Sequence, residues 1–182
     1  MPPKPQSPAA SPPVESRRMV VCAHAGRCES HVDPSRISEL LTQPGTFVWL
    51  DLQNPQAEDI QLLRDEFQFH PLSIEDATRH HERPKLETFE QYYFMVFYQL
   101  NYDDAARRLR SHALGLFIGA NYLVSVHHGP ITTIDETLTR WQASTAEFNN
   151  DAGALIYALL DAIVDDYFPV LDKLADQVEE IE

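Results

Sequence analysis

The chain has 182 residues, of which 43% are hydrophobic, and a formal net charge of −14 at pH 7. This composition can bury one substantial core. The negative charge excludes sequence-independent binding to nucleic acid or anionic lipid, because both need a concentrated basic surface. The two cysteines are too few for a disulfide-rich scaffold, so we expect both to be thiols.

The first segment, residues 1–18, is rich in proline, serine and alanine and holds almost no large apolar side chain. Such a segment cannot offset its ordering entropy by burial, so we predict a disordered tail. The following residues alternate between strand and helix patterns. They predict a strand at residues 19–23, a helix at 34–41 that ends before a Pro-Gly pair, and a strand at 46–52.

Two helical patterns come next. Apolar residues at helical spacing, opened by an Asn-Pro pair, predict a helix over residues 54–69. Pro71 then indicates a second, short helix, because the first turn of a helix tolerates a missing N–H group. This short helix carries the acidic pair Glu75 and Asp76, and the Arg-Pro-Lys sequence at residues 83–85 leads from it into a strand.

The middle of the chain, residues 86–126, is dense in aromatic and β-branched residues. It reads as successive strands at 92–102, 109–118 and 122–126 after a first strand that begins at Leu86. The connections are too short for crossover helices, which predicts an antiparallel meander. Helices before and after must then cover both faces. We therefore predict an α+β fold, a largely antiparallel central sheet layered between helices as an α/β/α sandwich over residues 19–148.

The C-terminal part predicts a helix at 131–147 and the start of a long stalk helix over 149–182. Pro169 interrupts the stalk and predicts a kink or a helix restart near residues 165–169. Glu182 is not preceded by a helix-stop signal, so we expect the natural protein to continue. Apolar positions with alternating spacings of 3 and 4 indicate a packing seam or coiled coil: Tyr157, Leu160, Val164, Tyr167, Leu171, Leu174, Val178 and Ile181.

The same helix carries a stripe of acidic residues on one face. Like charges at this spacing repel, and a hard divalent cation with oxygen ligands would relieve the repulsion. Asp161 also lies in an apolar run, where an unpartnered acid is costly, so we expect a compensating partner. From Asp172 onward, a solvated helix face explains the stripe equally well. The stripe consists of Asp161, Asp165, Asp172, Asp176 and Glu179.

Three segments carry a resemblance to a known family. Residues 70–92 contain His-Pro-Leu, Ile-Glu-Asp and Arg-Pro-Lys, and residues 159–168 read LLDAIVDDYF. Residues 48–52 read VWLDL and are strand-like. Together with the order of the elements, they resemble the CorA family of divalent-cation transporters, specifically its cytosolic domain and the opening of its stalk helix. The resemblance covers residues 19–182.

This resemblance implies a homopentamer whose cytosolic part binds Mg²⁺, or Co²⁺, Ni²⁺ or Zn²⁺, between subunits and thereby holds a pore closed. By position, Glu75 and Asp76 would face carboxylates of an adjacent subunit, and Asp161 would serve a second interfacial ion. We include Asp165 from the same helix face among the candidate metal ligands. The main partner carboxylate, both membrane helices and a Gly-Met-Asn motif would lie beyond Glu182. The expected location is the cytoplasmic side of the inner membrane.

Other functional interpretations remain open. The seam and the sheet could serve a metal-indifferent oligomerisation scaffold of a membrane protein. The sequence shows no nucleophile–base pair, phosphate loop or complete metal motif, so we expect no enzymatic activity. The pairs Asp103-Asp104 and Asp165-Asp166 leave a metal-dependent hydrolase as an alternative.

Cysteines and histidines suggest a further metal-site hypothesis. Cys22, His24, Cys28 and His31 could bind zinc, although their spacing fits no standard finger and packing explains them as well. The pairs His80-His81 and His127-His128 are interpreted as surface or turn histidines, with a metal-ligand or pH-sensing role as the alternative.

Overall fold

The computed structural model describes residues 16–79, 83–143 and 152–179. Its seven strands are β1 Arg17–His24, β2 Arg27–Ser30, β3 Thr46–Gln53, β4 Lys85–Thr88, β5 Tyr93–Asp103, β6 Arg108–Ile118 and β7 Tyr122–His127. They form one sheet in the order β2-β1-β3-β7-β6-β5-β4. Its neighbours are antiparallel except for β3 and β7, which are parallel. The predicted meander over β4 to β7 is confirmed.

Helices cover both faces of this sheet. They are α1 Ile37–Thr42, α2 Ala57–Asp65, α3 Pro71–Thr78, α4 Thr132–Ala143, α5 Ala152–Asp165 and α6 Tyr167–Glu179, with a 3-10 turn Pro34–Arg36 before α1. The buried residues of α1, α2 and α3 pack against one face, and those of α4 and α5 pack against the other. The predicted α+β fold with its α/β/α layering is therefore confirmed.

Strand β3 lies near the centre of the sheet and is buried on both sides. Val48 and Leu50 point to the face covered by α1 to α3. Phe47 and Trp49 point to the other face, where both rings contact Trp141 of α4. The near-continuous apolar sequence of β3 is typical of a strand covered on both faces.

The predicted helix over residues 54–69 is shorter in the structure. Asn54 and Gln68 both have positive φ values, 54° and 53°, which a helix interior does not allow. Helix α2 begins at Ala57, where the backbone N–H of Gln56 donates to Asp59 Oδ2 over 2.7 Å. The helix start predicted at residue 54 is therefore wrong, because capping by Asp59 places it three residues later.

The C-terminal helix breaks where proline predicted it. Helix α5 ends at Asp165 and α6 begins at Tyr167. Pro169 lies in the first turn of α6, where a missing N–H costs no helical hydrogen bond. The predicted restart is confirmed. Helix α6 then runs beside β5, where Lys173 Nζ lies 2.7 Å from Asp104.

Some predictions fall outside the described residues. Residues 1–15, which are most of the predicted disordered tail, are among them. The others are the end of the helix predicted to reach residue 147 and the pair His80-His81. None of the helices in the described ranges combines the length and the apolar character that crossing a bilayer requires.

Candidate functional site

The candidate acidic pair lies on α3, and the start of that helix is tightly fixed. His70 caps it, since its Nδ1 accepts the N–H of Leu72 over 3.2 Å, and Pro71 occupies the first turn. The hydroxyl of Tyr92 accepts the N–H of His70 over 2.9 Å and lies 3.0 Å from Ser73 Oγ. The helix start is thus bound to Tyr92, the buried aromatic residue just before β5, which explains why the His-Pro sequence folds here.

The rest of α3 lies unusually close to the sheet. A Cβ placed on Gly115 of β6 would come within 2.9 Å of the Ala77 Cβ, so only glycine allows this approach. At the C-terminal end, Nε2 of His128 contacts the carbonyl oxygen of Thr78 over 2.9 Å. Both ends of the helix are fixed, and the positions of its carboxylates follow from this packing.

Asp76 forms an ion pair within the chain. Its Oδ2 lies 2.5 Å from Lys85 Nζ, and both side chains are largely buried. Lys85 also lies 3.4 Å from Glu87 Oε1 and 5.6 Å from the centre of the Phe94 ring. Burial alone would lower the pKa of Lys85, but its hydrogen bond to Asp76 and the nearby carboxylate charges raise it. Asp76 therefore has a fixed cationic partner.

Glu75 occupies a more open position. Its side chain is exposed and pairs with Arg79 one turn later. An exposed pair of this kind contributes under about 1 kcal/mol. A divalent cation could displace Arg79 at little cost, whereas at Asp76 it must compete with Lys85.

Asp161 and Asp165 lie on α5 one turn apart, and both are exposed. The expectation that Asp161 needs a compensating partner in an apolar environment is wrong. The apolar run is buried through Leu155, Leu159 and Ile163, which form a different face of the helix. Helical periodicity places Asp161 toward solvent, where its charge stays hydrated.

One chain does not bring the four predicted ligands together. Helix α3 packs on one face of the sheet and α5 on the other. Within the described ranges, no group of three or more His, Cys, Asp or Glu side chains is placed to hold a metal ion. A shared ion would therefore need ligands from more than one chain.

The hypothesis of a zinc site formed by the two cysteines with His24 and His31 is also wrong. Ala23 pairs with Cys28, so Cys28 shares the sheet face of Ala23, whereas Cys22 points to the opposite face. Burial, assisted by Cys22, raises the pKa of the Cys28 thiol to about 11. A thiol with so high a pKa is a poor source of the thiolate that zinc prefers. His31 is exposed with a positive φ.

A buried polar network crosses the centre of the sheet, and sequence reasoning missed it. Asp51 is 0% exposed and accepts a hydrogen bond from Ser125 Oγ over 2.5 Å. Its carboxylate also lies 3.2 Å from His127 Nε2 and 3.2 Å from an Arg17 guanidinium nitrogen. The expectation that His127 is a surface or turn residue is wrong, because β7 extends through it. One signal was available: an Asp inside the apolar VWLDL strand needs a partner.

The hydrogen bonds of this network indicate a structural role. Trp49 Nε1 donates to Ser125 Oγ over 2.9 Å, and the Ser125 hydroxyl in turn donates to Asp51. His127 Nδ1 lies 2.7 Å from the carbonyl oxygen of Gly129. Asp51, Ser125 and His127 are all 0% exposed, so a substrate has no access to the Ser125 hydroxyl.

The acidic pairs of the hydrolase alternative are also separated. Asp103 accepts the N–H of Ala106 over 2.9 Å and pairs with Arg110, contacts that lower its pKa. Asp166 accepts hydrogen bonds from Thr133 Oγ1 over 2.8 Å and from Gln99 Nε2 over 3.1 Å. Each of these carboxylates thus stabilises a local turn or junction, an arrangement that does not form a two-carboxylate metal site.

Comparison with known proteins places the chain in a family. Residues 44–182 match the model of the "CorA-like Mg2+ transporter protein" family. The chain is 34% identical over 145 residues to the putative metal ion transporter YfjQ of Bacillus subtilis, covering 79% of this chain and 44% of that protein. It is 31% identical over 139 residues to the cobalt/magnesium transport protein CorA of Thermotoga maritima, covering 75% and 40%.

The fold agrees with a solved structure. The soluble domain of CorA from Methanocaldococcus jannaschii superposes with a TM-score of 0.64 at 18% identity, covering 88% of this chain and 62% of that one. The chain spans less than half the length of the two curated relatives. Since the family match extends over more than half of the residues, the chain belongs to the family of CorA-like Mg²⁺ transporter proteins.

Proposed function

We propose that this chain is the metal-sensing and gate-controlling domain of a divalent metal ion transporter, located on the cytoplasmic side of the inner membrane. Glu75 and Asp76 of α3 act as ligands at one surface, and Asp161 and Asp165 of α5 act at another. The ion is sensed between neighbouring copies, in a homopentamer formed by the full-length protein. Loss of the ion loosens these contacts and favours opening.

The placement of the carboxylates carries this proposal. The two acidic pairs sit on helices that cover opposite faces of one sheet. Glu75, Asp161 and Asp165 are exposed, which leaves their oxygens accessible to a second chain. An ion that needs several carboxylates can then be bound only where two copies meet, so its binding reports on assembly.

Self-association is supported by an apolar surface on α5 and α6. Large apolar side chains on these helices are 41–70% exposed in one chain. A row of such residues is costly in water and typical of a surface that is covered in an assembly. The exposed residues are Tyr157, Val164, Phe168, Leu171 and Val178.

The chemistry of the ligands favours Mg²⁺ as the sensed ion. Carboxylate oxygens are hard ligands that suit Mg²⁺, and the named relatives include cobalt/magnesium and magnesium transporters. Co²⁺, Ni²⁺ and Zn²⁺ are further candidates, because carboxylate oxygens also bind divalent transition-metal ions.

The test measures thermal unfolding and sedimentation of this chain with and without about 10 mM Mg²⁺, an excess over the chain. We expect Mg²⁺ to raise the Tm and the sedimentation coefficient. Asp76→Asn combined with Asp161→Asn should abolish both responses. Asp65→Asn, an exposed carboxylate on α2, is the matched control and should respond like the natural chain. A Mg²⁺ response that survives the double variant contradicts the proposal.

The metal-indifferent scaffold is the second candidate, favoured by the ion pairs that already neutralise Glu75 and Asp76 within one chain. It predicts concentration-dependent association that 10 mM EDTA, in large excess over any bound metal, leaves unchanged. Phe168→Ser with Leu171→Ser would abolish that association under either function. The two functions thus differ only in the response to Mg²⁺.

A further inference from the structure

A groove of about 370 Å³ lies between β5, α4 and α6, and none of the four carboxylates proposed as metal ligands lines it. It is lined by residues of β5, α4 and α6 and by Asp166, which lies between α5 and α6. Its polar lining includes Gln99, Glu136 and Asp166. Its apolar wall is formed by Pro169 and Val170, and the lining is completed by Leu100, Asn101, Tyr102, Thr132 and Lys173.

Gln99 is the unusual residue of this groove, since its polar side chain is only 2% exposed. Its Nε2 group donates to Thr133 Oγ1 over 2.8 Å and to Asp166 Oδ2 over 3.1 Å. The Thr133 hydroxyl donates its own proton to Asp166 Oδ2. Exchanging the amide nitrogen and oxygen would place Oε1 against a carboxylate, so these three contacts fix the orientation of the amide.

The amide orientation leaves an acceptor without a donor. Gln99 Oε1 is buried and has no hydrogen-bond partner among the described residues. Buried polar atoms are nearly always paired, and an unpaired one is unfavourable. Oε1 therefore indicates a missing hydrogen-bond donor or cation beside Gln99, which lines the groove.

The charges around this acceptor restrict what can fill the groove. Within the described residues both contacts of Asp166 reach Oδ2, so Oδ1 can accept a further hydrogen bond. Glu136, one turn after Thr132 and Thr133 on α4, adds a second carboxylate to the lining. Lys173, a cation in the lining, is already engaged by Asp104 and the Tyr102 ring. An occupant that offers only donors and positive charge fits this set.

The apolar wall distinguishes two kinds of cation. A bare or hydrated metal ion gains nothing from contact with Pro169 and Val170, whereas an aliphatic stem does. We propose that this groove binds a small organic cation, an alkylammonium or alkylguanidinium ion, whose head contacts Gln99 Oε1, Asp166 and Glu136 and whose stem lies along the apolar wall. Its occupancy would fix α6 against the sheet.

The test is a titration of this chain with agmatine, monitored by calorimetry and by amide chemical shifts. Agmatine has a guanidinium head on a four-carbon chain that ends in an ammonium group. We expect saturable binding of one ligand per chain, with shifts at Gln99, Thr133 and Val170. Glu136→Gln and Asp166→Asn should each weaken binding by about tenfold, because each removes a charge-assisted hydrogen bond. Asp172 lies on α6 and does not line the groove, so the Asp172→Asn variant should bind agmatine normally.

Three outcomes would overturn the proposal. Absence of saturable binding would mean that Gln99 Oε1 is satisfied by water alone. Saturation by Mg²⁺ instead of agmatine, with the same dependence on Asp166, would mean a metal site. Binding of N-acetylarginine N-methylamide tenfold tighter than agmatine would mean that the groove receives a protein side chain.

The proposal is separable from the metal-sensing function. Asp165→Asn should impair the Mg²⁺ response and leave agmatine binding unchanged, since Asp165 does not line the groove. Glu136→Gln should do the reverse. Agmatine binding without any Mg²⁺ response would support the groove and contradict the proposed sensor.

Discussion

Nε2 of His127 lies 3.2 Å from Oδ1 of Asp51, although the two residues are 76 positions apart in the chain. This contact joins the two parallel strands of the sheet, β3 and β7, on the side covered by α4. Arg17 from β1 reaches the other oxygen of the same carboxylate. One buried charge thus holds three strands in register.

The first prediction concerns this carboxylate. Asp51→Ala should lower the free energy of unfolding by about 3–5 kcal/mol, because Arg17 and His127 lose their shared buried partner. Asp135→Ala removes the more exposed partner of Arg17 and should cost under about 1 kcal/mol. Urea unfolding followed by Trp fluorescence measures both. Equal effects of the two changes would argue against a dominant role for the buried pair.

The second prediction concerns the close approach of α3 to β6. Gly115→Ala should lower the free energy of unfolding by about 1–3 kcal/mol, because the new Cβ would meet the Ala77 Cβ at 2.9 Å. Ala77→Gly alone should cost about 1 kcal/mol through helix propensity. If the clash is responsible, the double variant should be more stable than the sum of the two changes implies. Additive effects would contradict the steric explanation.

The third prediction concerns the partner of Asp76. Lys85→Met should destabilise the metal-free chain by about 1–3 kcal/mol, since it leaves a largely buried carboxylate unpaired. It should also strengthen Mg²⁺ binding by about tenfold, because the ion no longer competes with an ammonium group. Calorimetric titration with Mg²⁺ measures this. Arg79→Gln, at the exposed pair, is the control and should change stability by under about 0.5 kcal/mol. Unchanged or weaker Mg²⁺ binding in Lys85→Met would exclude Asp76 as a ligand.

The fourth prediction concerns thiol reactivity. The pKa of Cys28 rises from 9.0 to about 11 through burial, so the thiolate fraction at pH 8 should be about 100-fold smaller than for a free thiol. In a Cys22→Ser variant, which keeps the burial of Cys28 but removes the Cys22 charge, alkylation by iodoacetamide should be slow at pH 8 and still accelerate above pH 9. The same variant unfolded in urea should react rapidly and serves as the control. A rate that levels off near pH 9 would show that burial does not control this thiol.

The elements with regular patterns could be predicted from the sequence. The aromatic strands β5 and β6 and the break at Pro169 follow from local chemistry and lie where expected. Strand β2 was missed because it is only four residues long, and three of them are polar and exposed. The parallel pairing of β3 with β7 could not be inferred either, since nothing local in either strand specifies a partner so distant in sequence.

The candidate site was only partly accessible to sequence reasoning. The positions of Glu75 and Asp76 on a short helix follow from Pro71, and the structure places them there. The pair of Glu75 with Arg79 has i,i+4 spacing and could have been predicted. The partner of Asp76 could not, because Lys85 lies on β4, outside the helix. The environment of Asp161 was misjudged because an apolar run has a buried face and an exposed one.

The parallel pairing of β3 and β7 also bears on how the chain folds. It aligns residues 48–53 with 122–127 across a connection that contains α2, α3 and three strands. Closing so long a connection costs entropy before the contact is gained, so we expect this pairing to form after the rate-limiting step. Ser125→Ala should then speed unfolding and leave the refolding rate nearly unchanged in stopped-flow experiments. The lifetime of the folded chain would then depend on the pairing of β3 with β7 at the centre of the sheet.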